Sequence, residues 1–579
     1  MFLFKWLWKN MEGCRGMYIC GLLLTVVCQS MYIITPYFTS QITDTFIVSE
    51  NAVENIKNHG DVLLMMIGAM VGFTVLRACI QYGSTMLYEH SSQELIYRVR
   101  KVLFHNIEQQ DARFYNFYRT GDIMNRVTGD LDMVRHSVAW IIKAMVECIV
   151  LFSASVIFFF SIDWLMALCL IALTPVILFI TWLFKRRVGP MYVDQRERLS
   201  RMNTAAEENI SGNRVVKAFA REEYEKEKFD EFSRGYCDAT KRSAFTWLKF
   251  FPYLEITAQS LSVVMLVCGG LFVIGGRITF GEYTAFSGLI WTLSNPMRML
   301  GNIVNDLQRF SASADKIIEI YYGAPRICDR ADALDKPERF KGSIEFSHVS
   351  FAYGDEKVLD DVTFSVSAGE TVVLMGETGS GKTALTELIP RIYDATSGEV
   401  RVDGVNVQRL KLKQLRSNIG VATQDVLLYS DTIDGNISFG NTAMPEEDVV
   451  KVAKAADADG FIRRLSDGYD TIVGERGVGL SGGQKQRISL ARALAVKPAI
   501  LILDDTTSAV DLETEKHIQK SLSELDFPCT KIIIAQRIST AKYADKIIVL
   551  KDGRIAEQGT HDGLIAQHGY YREVYDLQR

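Results

Sequence analysis

Six apolar runs, each near 20 residues long, crowd the first 310 of 579 residues, and no such run follows them. About twenty residues of helix rise roughly 30 Å, the thickness of a bilayer's hydrocarbon core. The runs fall at about 17–38, 61–83, 137–160, 163–185, 249–276 and 280–308, and each predicts a membrane-crossing helix. The overall 48% hydrophobic content conceals this split, because the remainder has the composition of an ordinary soluble domain. A chain of this length also exceeds what one core organises. The expected division is an all-α six-helix membrane domain at 1–310, a connecting segment at 311–341 and an α/β domain at 342–579.

From Gly342 onward, short alternating stretches replace the long runs. Ser343–Phe346 and Val349–Tyr353 alternate as strands do, and Val400–Val407 predicts a hairpin over Asp403-Gly404. Thr371–Met375 is a buried strand that enters Gly376-Glu377-Thr378-Gly379-Ser380-Gly381-Lys382-Thr383. This is the P-loop pattern G-x-x-x-x-G-K-[ST]. Its consecutive backbone N–H groups face phosphate oxygens while the glycines keep side chains away. Lys382 reaches the β- and γ-phosphates, and the Thr383 hydroxyl holds Mg²⁺. Asp504 closes the apolar strand Ile500–Leu503 and places a carboxylate beside the P-loop for the metal shell. Ser481 opens a helix that runs through Gln486–Ala493, and its free N–H groups and positive dipole end suit an anion.

Six spans put both termini on one side, and the nucleotide-binding domain makes that side the cytosol. Charge agrees: Ser40–Asp61 carries Asp44, Glu50, Glu54 and Asp61 against Lys57, whereas Lys185, Arg186 and Arg187 close the fourth run. The opening stretch, Phe, Leu and Trp alternating around Lys5 and Lys9, predicts an elbow helix along the membrane surface. Two inner loops, about 84–136 and 186–248, continue as helix out of one span and into the next, projecting their turns nearly 40 Å beyond the bilayer. Arg119-Thr120-Gly121-Asp122 marks the first turn and Asn209–Phe219 the second, and both are read as docking elements. Arg77, Glu147 and Glu255 lie inside spans and Lys143 near a span end, where charge is costly. A buried helix-to-helix pair or a snorkelling end accounts for such groups; Glu147, with apolar residues on either side, is the candidate for substrate contact.

Net charge of −5 and the lack of a long basic tract exclude a nucleic-acid footprint. The ten cysteines follow no metal-like spacing, and seven lie in or beside apolar runs as small hydrophobes.

Taken in order, these motifs resemble an ATP-binding cassette exporter of the half-transporter kind, and the match covers essentially the whole chain. The resemblance implies ATP and Mg²⁺ as cofactors. It makes Tyr353 the aromatic that stacks on adenine. Gln424 becomes the metal- and coupling-sensing glutamine, holding Mg²⁺ with Thr383 and Asp504. Leu480-Ser481-Gly482-Gly483-Gln484 is then the signature motif, which grips the γ-phosphate of ATP held by an opposite cassette, and Ser508–Asp511 is the D-loop. It further implies a bacterial cell-membrane protein with both termini cytoplasmic.

Two positions depart from that pattern. The family has Glu after the Walker B aspartate to polarise the attacking water; this chain has Asp505, shorter by about 1.5 Å of reach. The family's switch histidine is Gln536, which donates a hydrogen bond but neither carries imidazolium charge nor shuttles a proton. General-base assistance is worth roughly 10²–10⁴-fold, so the expectation is ATP bound well and cleaved slowly at this chain's own site. The pattern resembles the degenerate-site subunit of bacterial heterodimeric exporters, whose partner is a second half-transporter. The expected cargo is an amphipathic or drug-like compound. A homodimeric lipid flippase and an ATP-gated regulator that does not transport are the alternatives.

Overall fold

The structure, a computed structural model, describes residues 2–335, 339–474, 477–505 and 512–578. It divides into two compact units, Met1–Glu108 with Arg119–Gly323, and Gln109–Tyr118 with Ala324–Arg579.

The first unit is helical. Among the described residues five helical runs are long and apolar enough to cross a membrane: Arg15–Ile47, Ala52–Glu108, Thr120–Ile162, Trp164–Ser211 and Glu222–Ile274. The sixth run drawn from sequence is also helix, Phe280–Leu289 followed by Trp291–Tyr321. Thr284, Ser287, Gly288, Thr292, Ser294 and Asn295 dilute its apolar character, so composition alone marks it less clearly. Helix continues to Tyr321, so the first part of the segment expected as a connector is the end of this helix. The first run tightens into a 3₁₀ turn at Met31–Ile33, just ahead of Pro36, which has no N–H to return to Tyr32.

Ala52–Glu108 is a 57-residue run kinked at His59, and its unbroken part beyond the kink, roughly 70 Å long, reaches far past a bilayer. The second inner turn falls where expected: helix ends at Ser211 and resumes at Asn213–Ala218. The first does not. Its turn is a separate short helix, Ala112–Phe117, capped by Asp111 accepting from the Phe114 N–H at 3.1 Å. Arg119–Asp122 instead begins the outgoing helix Thr120–Val127, because a polar residue and a glycine serve a helix start as readily as a turn. The segment Gln109–Tyr118 packs within the second unit. Ala112 lies on that unit's core, and Asn116 Nδ2 donates to the Tyr393 hydroxyl at 3.0 Å.

Two carboxylates tie the loops of the first unit. Asp163 caps the helix Trp164–Ile171 and pairs with Arg277 at 2.6 Å. Asp44 accepts from the Gly281 N–H at 2.7 Å and from Thr279 Oγ1 at 2.6 Å. The charges inside spans have partners: Arg77 lies 3.9 Å from the Tyr32 ring centroid, Glu147 lies 3.9 Å from Lys143, and Glu255 lies 3.5 Å from Arg298.

The second unit holds two sheets. Strands β1 (Ile344–Tyr353), β2 (Glu356–Val366), β4 (Ser397–Val402) and β5 (Val405–Asn406) form an antiparallel sheet in the order β2-β1-β4-β5. The other contains β3 (Thr371–Gly376), β6 (Ile419–Ala422), β7 (Ile500–Asp504), β8 (Thr530–Ile534), β9 (Lys546–Lys551) and β10 (Arg554–Gly559). Its order is β10-β9-β3-β8-β7-β6, parallel from β9 to β6. Alternate residues of each parallel strand face opposite cores. Ile500 and Ile502 of β7 join the core shared with β1, β2 and β4, while Leu501 and Leu503 join the helical core on the other side. Burial on both faces is why these strands read as unbroken apolar runs.

Asp403, in the left-handed region at φ 48°, accepts from the N–H groups of Lys341, Gly342 and Ser343 at 2.7–3.0 Å. Asp403→Ala is expected to destabilise the unit by about 2 kcal/mol, read as a lower Tm of the purified protein. Asp403→Asn, which keeps an acceptor and tolerates this backbone, is expected to lose less.

Candidate functional site

Four neighbouring parallel strands end on one edge of the sheet, and each delivers a predicted residue there. The loop Gly376–Gly381 follows β3, Gln536 lies just beyond β8, Asp504 and Asp505 finish β7, and Gln424 follows β6. In open α/β sheets this carboxyl edge is where ligands bind.

The loop's shape depends on glycine. A Cβ on Gly376, whose φ is 142°, would sit 2.1 Å from the Leu550 carbonyl oxygen, and one on Gly381 2.7 Å from a Leu359 methyl. Gly379 has φ +84° with nothing near it. Glu377, Thr378 and Gly379 form the exposed crest, while Ser380 is buried beneath them. Lys382 turns inward, its Nζ donating to the carbonyls of Gly376 (2.9 Å) and Glu377 (2.7 Å). Burial lowers the Lys382 pKa against the pull of Asp504 and Asp505.

Thr383, exposed on the first turn of the helix Lys382–Glu387, donates from Oγ1 to Asp504 Oδ2 at 3.0 Å. Burial raises the Asp504 pKa, opposed by this hydrogen bond and aided by the neighbouring Asp505 charge. A hydroxyl and a carboxylate at this separation are a hard-oxygen pair of the kind Mg²⁺ takes. The fit to a nucleotide phosphate with its metal therefore rests on three features: a glycine-dependent loop, a cation turned into it, and this oxygen pair. Gln424 is exposed at the same edge and makes no hydrogen bond to Thr383 or Asp504 among the described residues.

Asp505 occupies the left-handed region at φ 47°, with its N–H donating to the Ile534 carbonyl at 3.2 Å. Gln536 presents an exposed side chain, and its carbonyl accepts from Gln578 Nε2 at 2.8 Å. Tyr353 ends β1 with its ring 38% exposed, edge-on to Phe351 and Tyr393. Its hydroxyl donates to Glu387 Oε2 at 2.9 Å, which tethers the ring to the helix after the P-loop. Burial raises the Tyr353 pKa, and the Glu387 carboxylate adds to it.

The signature residues are not part of this cluster. Ser481 caps the helix Gly482–Ala495 in a reciprocal box: the Ser481 N–H donates to Gln484 Oε1 at 2.9 Å, and Gln484 N–H to Ser481 Oγ at 3.4 Å. Leu480 packs on the helical core, Ser481 and Gly482 are exposed, and Gly483 and Gln484 are half-buried. No hydrogen bond among the described residues joins Leu480–Gln484 to Gly376–Thr383. Asp511 lies outside the described residues.

Three supporting residues have no motif to announce them. Gln486 is buried, and its Nε2 donates to the Asp505 carbonyl at 3.4 Å. Glu515, 2% exposed, accepts from Arg537 at 3.1 Å and from Thr540 at 2.5 Å, fixing the segment after Gln536. Gln578 clamps Gln536 and Ile538.

Two family models match this chain, the ABC transporter transmembrane region over residues 18–297 and the ABC transporter domain over 359–508. Bacillus subtilis "Uncharacterized ABC transporter ATP-binding protein YknU" is 38% identical over 88% of this chain and 87% of its own length. The "ATP-dependent lipid A-core flippase" of Desulfotalea psychrophila is 35% identical over 89% and 90%. "Putative multidrug export ATP-binding/permease protein YgaD" of Bacillus subtilis is 35% identical over 87% of each. A solved structure described as a bacterial Atm1-family ABC exporter with ATP bound shares the fold, with TM-score 0.80, covering 98% of this chain and 99% of that one at 24% identity.

Gly376→Ala is expected to abolish thermal stabilisation by added ATP, because the methyl meets backbone. Gly379→Ala meets nothing and bears only the cost of its left-handed backbone, about 1 kcal/mol. Thermal shift with and without nucleotide reads both.

Proposed function

This chain belongs to the ATP-binding cassette exporter family, and on that premise we propose that it is one half of a heterodimeric exporter with one fast and one slow ATP site. Its own P-loop, Gly376–Thr383, cradles the phosphates, with Lys382 as the cation and Tyr353 as the stacking surface for adenine. Thr383, Asp504 and Gln424 hold Mg²⁺, which when bound neutralises charge on the phosphoryl oxygens. Leu480–Gln484, together with Asp511 of the D-loop, serves the site built on the partner's P-loop. The Gly482 and Gly483 N–H groups, left over by the Ser481–Gln484 box at the start of that helix, meet the γ-phosphate there.

The observation that carries the asymmetry is Asp505. It is one methylene short of Glu, and its N–H is bonded to the Ile534 carbonyl, which ties the position from which the shorter side chain must reach. Gln536 is held at the neighbouring strand end, where it orients a phosphate oxygen without accepting a proton. ATP at this site acts as a clamp while the partner's site turns over and drives alternating access in a bacterial cell membrane, with both termini cytoplasmic. The cargo is amphipathic or drug-like. Relatives named as lipid A-core flippases favour a lipid as the cargo of a second reading, the one in which the chain pairs with its own copy.

In the co-purified complex, Asp505→Ala is expected to leave ATP turnover little changed, while removal of the partner's catalytic carboxylate lowers it by roughly 10²-fold or more. Asp505→Glu together with Gln536→His is expected to raise turnover. Equal losses from the two alanine-type changes, or vigorous turnover by this chain alone, would contradict the asymmetry.

A further inference from the structure

We propose that the groove beside the N-terminal helix Phe2–Asn10 binds one anionic phospholipid, with an acyl chain in the groove and the phosphate against Lys5, Lys9 and Arg15. This helix has two unlike faces. Trp6 and Leu7 are buried, at 2% and 3% exposure, and fix it to its own unit. The Trp6 ring meets Tyr321 edge-on with centroids 5.6 Å apart, and the Tyr321 hydroxyl donates to Asn10 Oδ1 at 2.8 Å. The other face sets Phe4 and Trp8, 55% and 42% exposed, beside Lys5 and Lys9 at helical i, i+4 spacing. Aromatic bodies interleaved with ammonium groups suit a bilayer surface, where apolar area is covered and cations meet anionic headgroups.

Between this helix and those that follow it lies a cavity of about 650 Å³, the size of a small-ligand site. Its floor is apolar: Leu7, Met11, Tyr18, Val138 and Ile142. Among the described residues its rim holds three cations and no carboxylate. Arg15 is fixed there, its Nε donating to the Trp8 carbonyl at 2.8 Å and its guanidinium 5.5 Å from the Trp8 ring centroid. Lys5 and Lys9 form no ion pair among the described residues, and Glu12, the acid nearest in sequence, does not line the cavity. An occupant must therefore join an apolar chain to a negative head. The helix leads directly into the membrane-crossing run Arg15–Ile47, so the groove sits at the level of the headgroups, and a phospholipid is the molecule of that description. The inference is independent of the ATPase asymmetry.

The test is native mass spectrometry of the purified full chain titrated with phosphatidylglycerol or with phosphatidylcholine of the same acyl chains. One phosphatidylglycerol should be retained at concentrations where phosphatidylcholine is not. Lys5→Gln/Lys9→Gln, on the exposed face, should weaken phosphatidylglycerol retention by roughly 10- to 30-fold. Lys226→Gln/Lys228→Gln, removing two cations elsewhere in the same unit, should leave it unchanged. Ile142→Trp, which fills the cavity, should weaken both lipids, and glycerol phosphate, a head without a chain, should fail to compete. Equal retention of the two lipids would overturn the proposal. So would indifference to the Lys5/Lys9 change, equal loss from the control pair, or full competition by glycerol phosphate.

Discussion

The Thr383 hydroxyl donates to the Asp504 carboxylate at 3.0 Å and thereby joins the helix after β3 to the end of β7, two strands away. Everything in the nucleotide half is arranged so that these two oxygens meet. The intervening strand β8 sets the spacing and ends two residues before Gln536. The glycines let the loop close over Lys382, and the two cores hold the strands in register from both faces. A site assembled from strand ends tolerates little displacement, because moving one strand moves the others through the ladder. That rigidity is what gives meaning to a change of a single methylene at Asp505.

The same economy of position governs the helical unit, where Asp163 pairs with Arg277 and Asp44 accepts from the Gly281 N–H, while Glu255 and Arg298 meet at a more exposed position. Glu147 lies within 3.9 Å of Lys143 on its own helix, so pairing along one helix accounts for its presence without a substrate. Its candidacy for substrate contact therefore rests on position alone.

Motifs whose chemistry is local were legible in the residues. The strand into the P-loop, the hairpin over Asp403-Gly404 and the capped helix after Ser481 all follow from short-range rules, and all are in the structure. Features set by distant partners were not. Nothing near Gln486, Glu515 or Gln578 in sequence announces that these side chains hold Asp505 and the Gln536 segment, since a lone polar residue acquires its partner only when the chain folds. The first inner turn lies ahead of Arg119–Asp122 for a related reason. Asp111 and Tyr118 bound a helix of six residues, too short to show a period. The sixth span was drawn from a run whose hydroxyls and amides weaken its signal.

In the proposed heterodimer the two ATP sites differ in chemistry. The most direct measurement is the identity of the nucleotide retained by the assembled heterodimer after brief turnover with labelled ATP, rapid removal of free nucleotide and acid quenching. One intact ATP per complex is expected, held at the site containing Asp505, beside ADP at the other. ADP alone at both sites, formed at equal rates, would contradict it.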